Sequence, residues 1–299
     1  MYRVGITGVG GAAGVSCIKA LGDHELYGFD CNPLSAGLNL VKRGFILPPA
    51  DSPTFFKMLK RFCEILRIDV LIPTVDDELL IIAERKDELP CRVVIAPVRV
   101  IRNCLDKRRL INVLHENVPK TAYPAFKSDD LDFPVVVKPA RGRGARDIYV
   151  CRDENDLDYA LKVCPKPIII QEFLNPPEYS VDTLSDLKGN CLVTVPRERT
   201  EVKGGVVWRG KIVDDAKIKS LAKWAVEKLG LVGPAVVQMR ENKIFEVNPR
   251  LGGSTILSVK AGVNIPELAI KLFMEEEIGD IPTPKPVKMA RYFEEVYFE

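Results

Sequence analysis

Two histidines, His24 and His115, are all that 299 residues provide. Histidine-rich zinc sites and Ser-His-Asp or Cys-His nucleophile machinery therefore have almost no raw material. Glutamine is as rare, with Gln171 and Gln238 alone, a depletion of a thermolabile side chain of the kind heat-adapted proteins show. None of the eight cysteines (17, 31, 63, 91, 104, 151, 164 and 191) forms a C-x-x-C pair. Scattered through apolar segments, they read as reduced core thiols rather than metal ligands or a disulfide framework. A run of about 18 apolar residues is also missing, and Met1-Tyr2-Arg3 leads straight into a strand-like segment, so a soluble, cytoplasmic protein with no membrane partner is expected. Charge of one sign is missing too. Lys plus Arg (43) nearly balances Asp plus Glu (41), a formal net charge of +2, and no global field points to nucleic acid. A small molecule is the expected partner, handled by Lys, Arg, Glu, Asn and backbone groups.

A hydrophobic content of 46% over this length can bury a sizeable core and suggests more than one domain. The first hundred residues alternate apolar strands (Val4–Thr7, Leu26–Phe29, Phe45–Leu47, Val70–Ile72, Val93–Ile95) with helical patterns (Ala12–Leu21, Thr54–Arg67, Asp76–Leu89). That alternation predicts a doubly wound parallel sheet. Asp106 predicts the cap of a helix to about Glu116. Strands are then expected over 135–138, 146–151, 168–173, 178–185, 191–196 and 205–213. A helix follows from Asp215 to Leu229 with Gly230 as its stop, then a helix near Ile265–Phe273 and a last strand over Lys288–Phe298 after the proline-rich linker 280–286.

Gly8-Val9-Gly10-Gly11-Ala12-Ala13-Gly14 follows the first strand, with Asp30 some twenty residues on, in the outline of a dinucleotide fingerprint. Glycines at such a turn also serve simply to let helix and strand pack closely.

The segment Ile244-Phe245-Glu246-Val247-Asn248-Pro249-Arg250 alternates with the period of a strand. Glu246, Asn248 and Arg250 are expected on one face, with Phe245 and Val247 in the core. A carboxylate, a carboxamide and a guanidinium aimed at one point are hard to desolvate unless a charged group sits among them, and a divalent cation with phosphate beside it satisfies all three. The strand Ala235–Arg240 precedes it. A hairpin with the odd-length loop Glu241-Asn242-Lys243 sets Gln238 opposite Glu246 and gives three oxygen ligands. The alternative is a half-buried strand whose outer face is merely polar.

A second signal lies at Pro134–Pro139, a strand bearing Lys138 at its mouth, followed by Ala140-Arg141-Gly142-Arg143-Gly144-Ala145-Arg146. A lysine there calls for an anion, and Gly142 and Gly144 let backbone N–H groups approach phosphate oxygens; a solvated basic turn is the plainer reading. Lys107, beside Asp106, is a further phosphate candidate or a surface lysine. Ile168–Leu174 ends in Gln171-Glu172-Phe173-Leu174, and the prolines 176 and 177 hold Glu172 near Glu178, offering an apolar slot and a carboxylate to a nucleoside.

Lys107, Lys138 with its glycine loop, Gln171 to Leu174, Glu178, Gln238 and Glu246-x-Asn248-Pro249-Arg250 follow one another in an order that resembles the ATP-grasp enzymes over nearly the whole chain. Within them the sequence is similar to the carbamoyl phosphate synthetase large-subunit branch. Val195–Arg199 followed by Glu201–Gly205, and the ending Arg291–Val296, resemble small stand-alone proteins of that branch. The resemblance implies an α/β and α+β chain: a Rossmann-like domain over 1–105, an ATP-grasp lid subdomain over 106–175, and an antiparallel-sheet metal-binding and catalytic subdomain over 176–299. It implies that Lys107 and Lys138 hold the phosphates of ATP, that Gly142 and Gly144 close the loop over them, that Gln171 to Leu174 line the adenine, and that Glu178 accepts from the ribose. Gln238, Glu246 and Asn248 are implied to bind Mg²⁺, for which Mn²⁺ can substitute, and Arg250 to act in catalysis together with Lys138. Ala145 and Asp147 stand where many relatives carry glycine, so altered loop closure is expected.

The implied activity is ATP-dependent activation of a small carboxylate as an acyl phosphate, followed by attack of an amine. Arg197, Arg199, Lys203 and Arg209 are candidates to receive the carboxylate, or form a solvated hairpin. A carbamate- or bicarbonate-phosphorylating enzyme and a non-catalytic nucleotide-binding module are the other classes. A homodimer is compatible with all three.

Overall fold

The computed structural model describes residues 1–122, 131–142, 144 and 146–298. The N-terminal elements are β1 (Arg3–Thr7), α1 (Ala12–Ala20), β2 (Glu25–Asp30), β3 (Arg43–Ile46), α2 (Phe55–Leu66), β4 (Val70–Ile72), α3 (Asp76–Glu84), β5 (Arg92–Val93), α4 (Val98–Cys104) and α5 (Lys107–Leu114). Their strands are parallel in the order β3-β2-β1-β4-β5, the doubly wound arrangement the alternation predicted. The order reverses between β1 and β4, and in open α/β sheets the crevice beyond the strand ends at such a point is where ligands bind.

Local chemistry explains these elements. On α2 the residues Phe55, Leu59 and Cys63 recur every fourth position and are buried, and Arg67 ends the helix in the left-handed conformation (φ 51°). Asp106 caps α5 by accepting the Arg108 N–H at 3.1 Å. The glycine turn is explained by packing: a Cβ at Gly14 would lie 2.5 Å from the Gly8 carbonyl oxygen. Asp30 closes the same turn, its Oδ2 accepting the Gly10 N–H at 2.8 Å and its Oδ1 the Asn32 N–H at 3.0 Å. The carboxylate that a dinucleotide reading needs for a ribose is thus engaged by its own loop.

The second sheet comprises β6 (Thr121–Ala122), β7 (Val135–Pro139), β8 (Tyr149–Cys151) and, after α6 (Glu154–Val163), β9 (Ile168–Glu172), antiparallel in the order β6-β9-β7-β8. Its core (Val135, Val137, Leu157, Ala160, Ile168, Ile170) is separate from the rest. Helix α6 escaped the sequence reading because it buries only Leu157 and Ala160, too thin a stripe to show a helical period.

The third sheet follows from β10 (Glu178–Ser185), β11 (Cys191–Lys203), β12 (Val206–Ile212), α7 (Ala216–Leu229), β13 (Gly233–Arg240), β14 (Lys243–Asn248), α8 (Thr255–Lys260), α9 (Ile265–Phe273) and β15 (Lys288–Ala290). It is antiparallel, in the order β14-β13-β10-β11-β12-β15. Helix α7 has the expected frame: Asp215 accepts the N–H groups of Lys217 (2.9 Å) and Ile218 (3.1 Å), and Gly230 stops it with φ 67°. The strand expected to run to Phe298 ends at Ala290. Beyond the Arg291 N–H to Trp208 carbonyl bond (2.9 Å) the ladder ends, with the Phe293 ring 5.1 Å from that of Trp208 and Tyr292, Phe293 and Tyr297 exposed.

The first and third sheets share their cores. One cluster runs from Phe29, Phe55 and Leu59 through Leu110 to Ala222, Val237 and Val247; another joins Val4, Ile6 and Val9 to Leu184, Val195 and Ile270. Each such Leu, Ile, Val or Phe contributes roughly 1.5–3 kcal/mol on burial, and together they hold the β1/β4 crevice against β13 and β14. Among the described residues no helix is long and apolar enough to cross a membrane.

Candidate active site

The β13–β14 hairpin differs from the expected three-residue loop in a way that preserves its consequence. Glu241 and Asn242 both take the left-handed conformation (φ 47° and 59°), a two-residue turn between paired Arg240 and Lys243. The ladder then shifts: Met239 pairs with Ile244, and Gln238 with Glu246. Phe245 is the extra residue of a β-bulge. Turn plus bulge restores the odd offset, so Gln238 does face Glu246. The bulge also corrects the expectation for Phe245, which lines the cleft, while Ile244 and Val247 fill the core.

A cleft of 780 Å³ opens where the three sheets meet. The hairpin brings it Gln238, Glu246, Asn248 and Arg250; the second sheet and its connections bring Lys138, Gly144, Gln171, Glu172, Phe173 and Leu174; β10 and β11 bring Glu178, Arg197 and Arg199; and the β1/β4 crevice brings Gly11, Ala12, Thr74 and Asp76. Lys107, Gly142, Lys203 and Arg209 are not in its wall.

Lys138 is 7% exposed, its ammonium 5.4 Å from the centre of the Phe245 ring. Among the described residues it has no ion pair or hydrogen bond. Burial, with Lys107 nearby, pulls its pKa down to about 8, against the attraction of Glu246. Lys107 is also buried, and its Nζ donates to the Gly142 carbonyl at 3.4 Å, which ties it to the glycine loop behind Lys138. Asp106 holds the Arg141 Nε at 3.1 Å. Arg143 and Ala145 lie outside the described residues. Asp147 adopts φ 56°, a left-handed conformation that aspartate tolerates and glycine favours.

A pH dependence follows. The free protein loses the Lys138 charge as pH rises through about 8, so affinity for a polyphosphate is expected to fall by up to about tenfold per pH unit above that point, until the pKa of the bound state is passed. Linkage has the opposite sign for the unliganded fold. Between about pH 8 and the ordinary lysine pKa the unfolded chain binds the extra proton, so this group adds stability as pH rises. Calorimetric affinity and thermal midpoint measured from pH 7 to 9.5 check both slopes.

Glu246, the carboxylate of the hairpin, carries no hydrogen bond or ion pair among the described residues, only longer-range attraction to Lys138, Arg199 and Arg250. The Gln238 amide is likewise unengaged among them. The other acids are occupied. Glu178 accepts from Arg240 Nε (3.0 Å) and Nη2 (2.6 Å) and pairs with Arg199 Nη1 (2.6 Å). Of roughly four acceptor positions on a carboxylate, that leaves one on Oε1. The Glu172 carboxylate takes the Lys120 N–H (2.7 Å) and Lys243 Nζ (2.6 Å), and the Phe173 N–H bonds to the Pro134 carbonyl at 3.2 Å. The Gln171 amide donates to Thr121 Oγ1 at 2.8 Å.

Of the four cations expected to receive a carboxylate, the structure brings two to the cleft. Arg197 is fully buried and binds Asp182 and Ser254, while Asp182 also accepts from Thr255 (3.1 Å) and Ser258 (2.6 Å). This is an internal network, not a free receptor. Arg199 pairs with Glu178 and donates to the Gly205 carbonyl at 2.9 Å. Lys203 and Arg209 stand outside. Glu201 lies cross-strand from Arg209 and draws both, Arg209 at 2.6 Å and Lys203 at 3.3 Å, with Lys203 over the Trp208 ring.

Residues 165–296 match the family described as "ATP-grasp in the biosynthetic pathway with Ter operon", and residues 12–94 match "PylC-like, N-terminal domain". The stretch 165–296 is thus similar to the ATP-grasp family. It is 29% identical over 176 residues to a carbamoyl-phosphate synthase of Methanobrevibacter smithii, covering 52% of this chain and 44% of that protein. It is 24% identical over 176 residues to the N-terminal section of a carbamoyl phosphate synthase large chain of Methanopyrus kandleri, covering 52% and 31%. It thus spans less than half the length of these curated relatives. Among solved structures, N5-carboxyaminoimidazole synthetase from Staphylococcus aureus complexed with ADP superposes with a TM-score of 0.76 at 16% identity, covering 97% of this chain and 82% of that one. L-amino acid ligase from Bacillus licheniformis superposes with a TM-score of 0.71 at 20% identity, covering 95% and 78%. These likenesses establish a common fold.

The residues of this cleft fit a metal–polyphosphate. Among the described residues Glu246 and Gln238 lack partners on one wall, Lys138 lacks one on another, and the Asn248 side chain on the same hairpin meets only Arg250, at 3.2 Å. No cluster of three His, Cys, Asp or Glu residues suited to a metal occurs among the described residues, so a cation at Glu246 would complete its shell with amide and ligand oxygens. The sequence reading missed Asp76, which grips Arg250 at 2.6 and 2.8 Å, and Arg240, which holds Glu178. Only the cross-strand position of Arg240 on β13, directly opposite Glu178 on β10, could have signalled the latter.

Proposed function

We propose that this chain is an ATP- and Mg²⁺-dependent ligase that activates a small carboxylate as an acyl phosphate and joins it to an amine. The observation that carries this reading is Glu246 and Gln238 facing Lys138 across one cleft, all three without partners among the described residues. Lys138, with Lys107 behind it, binds the phosphates. The loop around Gly142 and Gly144 follows them. Gln171 to Leu174 line the base, and Glu178, aligned by Arg199 and Arg240, offers its remaining acceptor to a ribose hydroxyl. Gln238, Glu246 and Asn248 hold Mg²⁺, which when bound neutralises charge on the phosphates. Arg250 orients the phosphoryl end, and the acceptor substrates enter from the β1/β4 crevice. Positioning and electrostatics suffice for such chemistry, which suits a chain with two histidines.

The test is ADP and phosphate release from Mg-ATP against pooled carboxylic acids and amines. Turnover that needs both an acid and an amine supports the ligase; tight ATP binding with no release across the panel favours a binding module instead. The curated relatives named as carbamoyl-phosphate synthases favour one competing reading, a bicarbonate- or carbamate-phosphorylating enzyme, for which bicarbonate alone stimulates ADP release.

A further inference from the structure

Arg250 makes four hydrogen bonds. Its Nε and Nη2 form a fork onto Asp76 Oδ1 (2.6 Å) and Oδ2 (2.8 Å), Nη2 also donates to Asn248 Oδ1 (3.2 Å), and Nη1 donates to the Leu251 carbonyl (3.1 Å). The pair is sheltered, with 17% of the arginine side chain and 12% of the aspartate exposed. A bidentate carboxylate fixes the plane of a guanidinium as well as its place. Asp76 is itself anchored. It is the first residue of α3, two positions after Thr74, whose Oγ1 donates to the Thr7 carbonyl at 2.7 Å and whose N–H reaches Thr7 Oγ1 at 3.3 Å. Hydrogen bonds thus anchor Thr74 to the end of β1, the main chain carries that anchor two residues on to Asp76, and Asp76 holds Arg250 beside Asn248.

We propose that Asp76, contributed by the N-terminal sheet at its β1/β4 crevice, is a positioning residue that sets the orientation of Arg250 and, through it, of the Asn248 carbonyl. The inference rests on the ligase reading and adds a function for the N-terminal sheet, which orients the phosphoryl-handling end of the cleft. Asp76 touches no phosphate. Without it, the guanidinium is held only by Leu251 and Asn248, and the Asn248 amide loses a fixed neighbour. Groups that orient a site's ligands are worth about 10–100-fold when removed.

Asp76→Asn is expected to lower ADP release from Mg-ATP by about 10–100-fold while Mg-ATP affinity measured by calorimetry stays within about threefold, the split expected when orientation rather than binding is lost. Asp76→Glu, which keeps the charge and moves it by one methylene, recovers part of the loss and serves as the test if the asparagine variant does not fold. In an Arg250→Lys background the Asp76→Asn change adds less than about threefold, the non-additivity of two residues acting as a unit. In the unliganded protein the Arg250 Nε–H gives a slowly exchanging NMR resonance that Asp76→Asn abolishes. Wild-type protein that takes up no Mg-ATP overturns the ligase reading and this inference with it. Mg-ATP turnover undiminished by Asp76→Asn, or a loss repeated in full in the Arg250→Lys background, overturns this inference alone.

Discussion

Lys138→Met is expected to weaken Mg-ATP binding by about 100-fold while raising the thermal midpoint of the unliganded protein. The first effect is the loss of a charge-assisted bond to a phosphate, about 1.5–3 kcal/mol where the donor is an ion. The second follows from the environment of the ammonium. It is 7% exposed with no ion pair among the described residues, and its pKa is pulled down to about 8, so the charge opposes folding until a ligand arrives. Methionine fills the same volume without that charge. Opposite signs for stability and affinity distinguish a ligand-facing lysine from a structural one, for which both would fall together. Calorimetry with Mg-ATP and a melting curve suffice, and unchanged affinity removes the nucleotide from this site.

Glu246→Gln is expected to reduce turnover by about 10²–10³-fold, the range for removing one preorganised charge-stabilising group, and to raise the Mg²⁺ concentration needed for half-maximal ADP release. The substitution keeps shape and removes only the charge. Because no hydrogen bond or ion pair among the described residues uses that carboxylate, the fold has little to lose, and the melting temperature without ligand should stay near wild type. A metal titration of ADP release on both proteins decides it. An identical Mg²⁺ requirement in the variant would place the cation elsewhere.

Parts of the site were legible in advance because a local rule constrains them. Period two is enough to set Glu246 and Asn248 on one side of β14, with Arg250 two residues past its end; the return of Gln238 opposite Glu246 took the bulge at Phe245 as well as the turn. A lysine ending an apolar strand before glycines announces an anion without any tertiary knowledge. Other parts were hidden for equally definite reasons. Phe245 faces the cleft because of a bulge, and one extra residue in a ladder leaves no mark in hydrophobic alternation. Arg197 was a candidate to receive a carboxylate, but Asp182 and Ser254 take it, the latter 57 residues away along the chain. Lys203 and Arg209 looked equivalent to Arg199 by charge and spacing, yet Glu201 captures the pair on the outer side of the hairpin.

What the sequence determined by itself is therefore what short-range stereochemistry governs: the alternating β-α order of the first hundred residues, the caps at Asp106, Asp215 and Gly230, and which chemical groups share a strand face. What only the tertiary structure decided is which of those groups remain unpaired. Asp76 and Arg250 are 174 positions apart, a pairing set by how the first sheet packs on the third, and ion pairing falls off with distance in space, not along the chain. Once the cores had closed, Asp182 took Arg197, Asp76 took Arg250, and Glu178 took Arg199 and Arg240. Glu246, Gln238 and Lys138 were left facing one another without partners among the described residues.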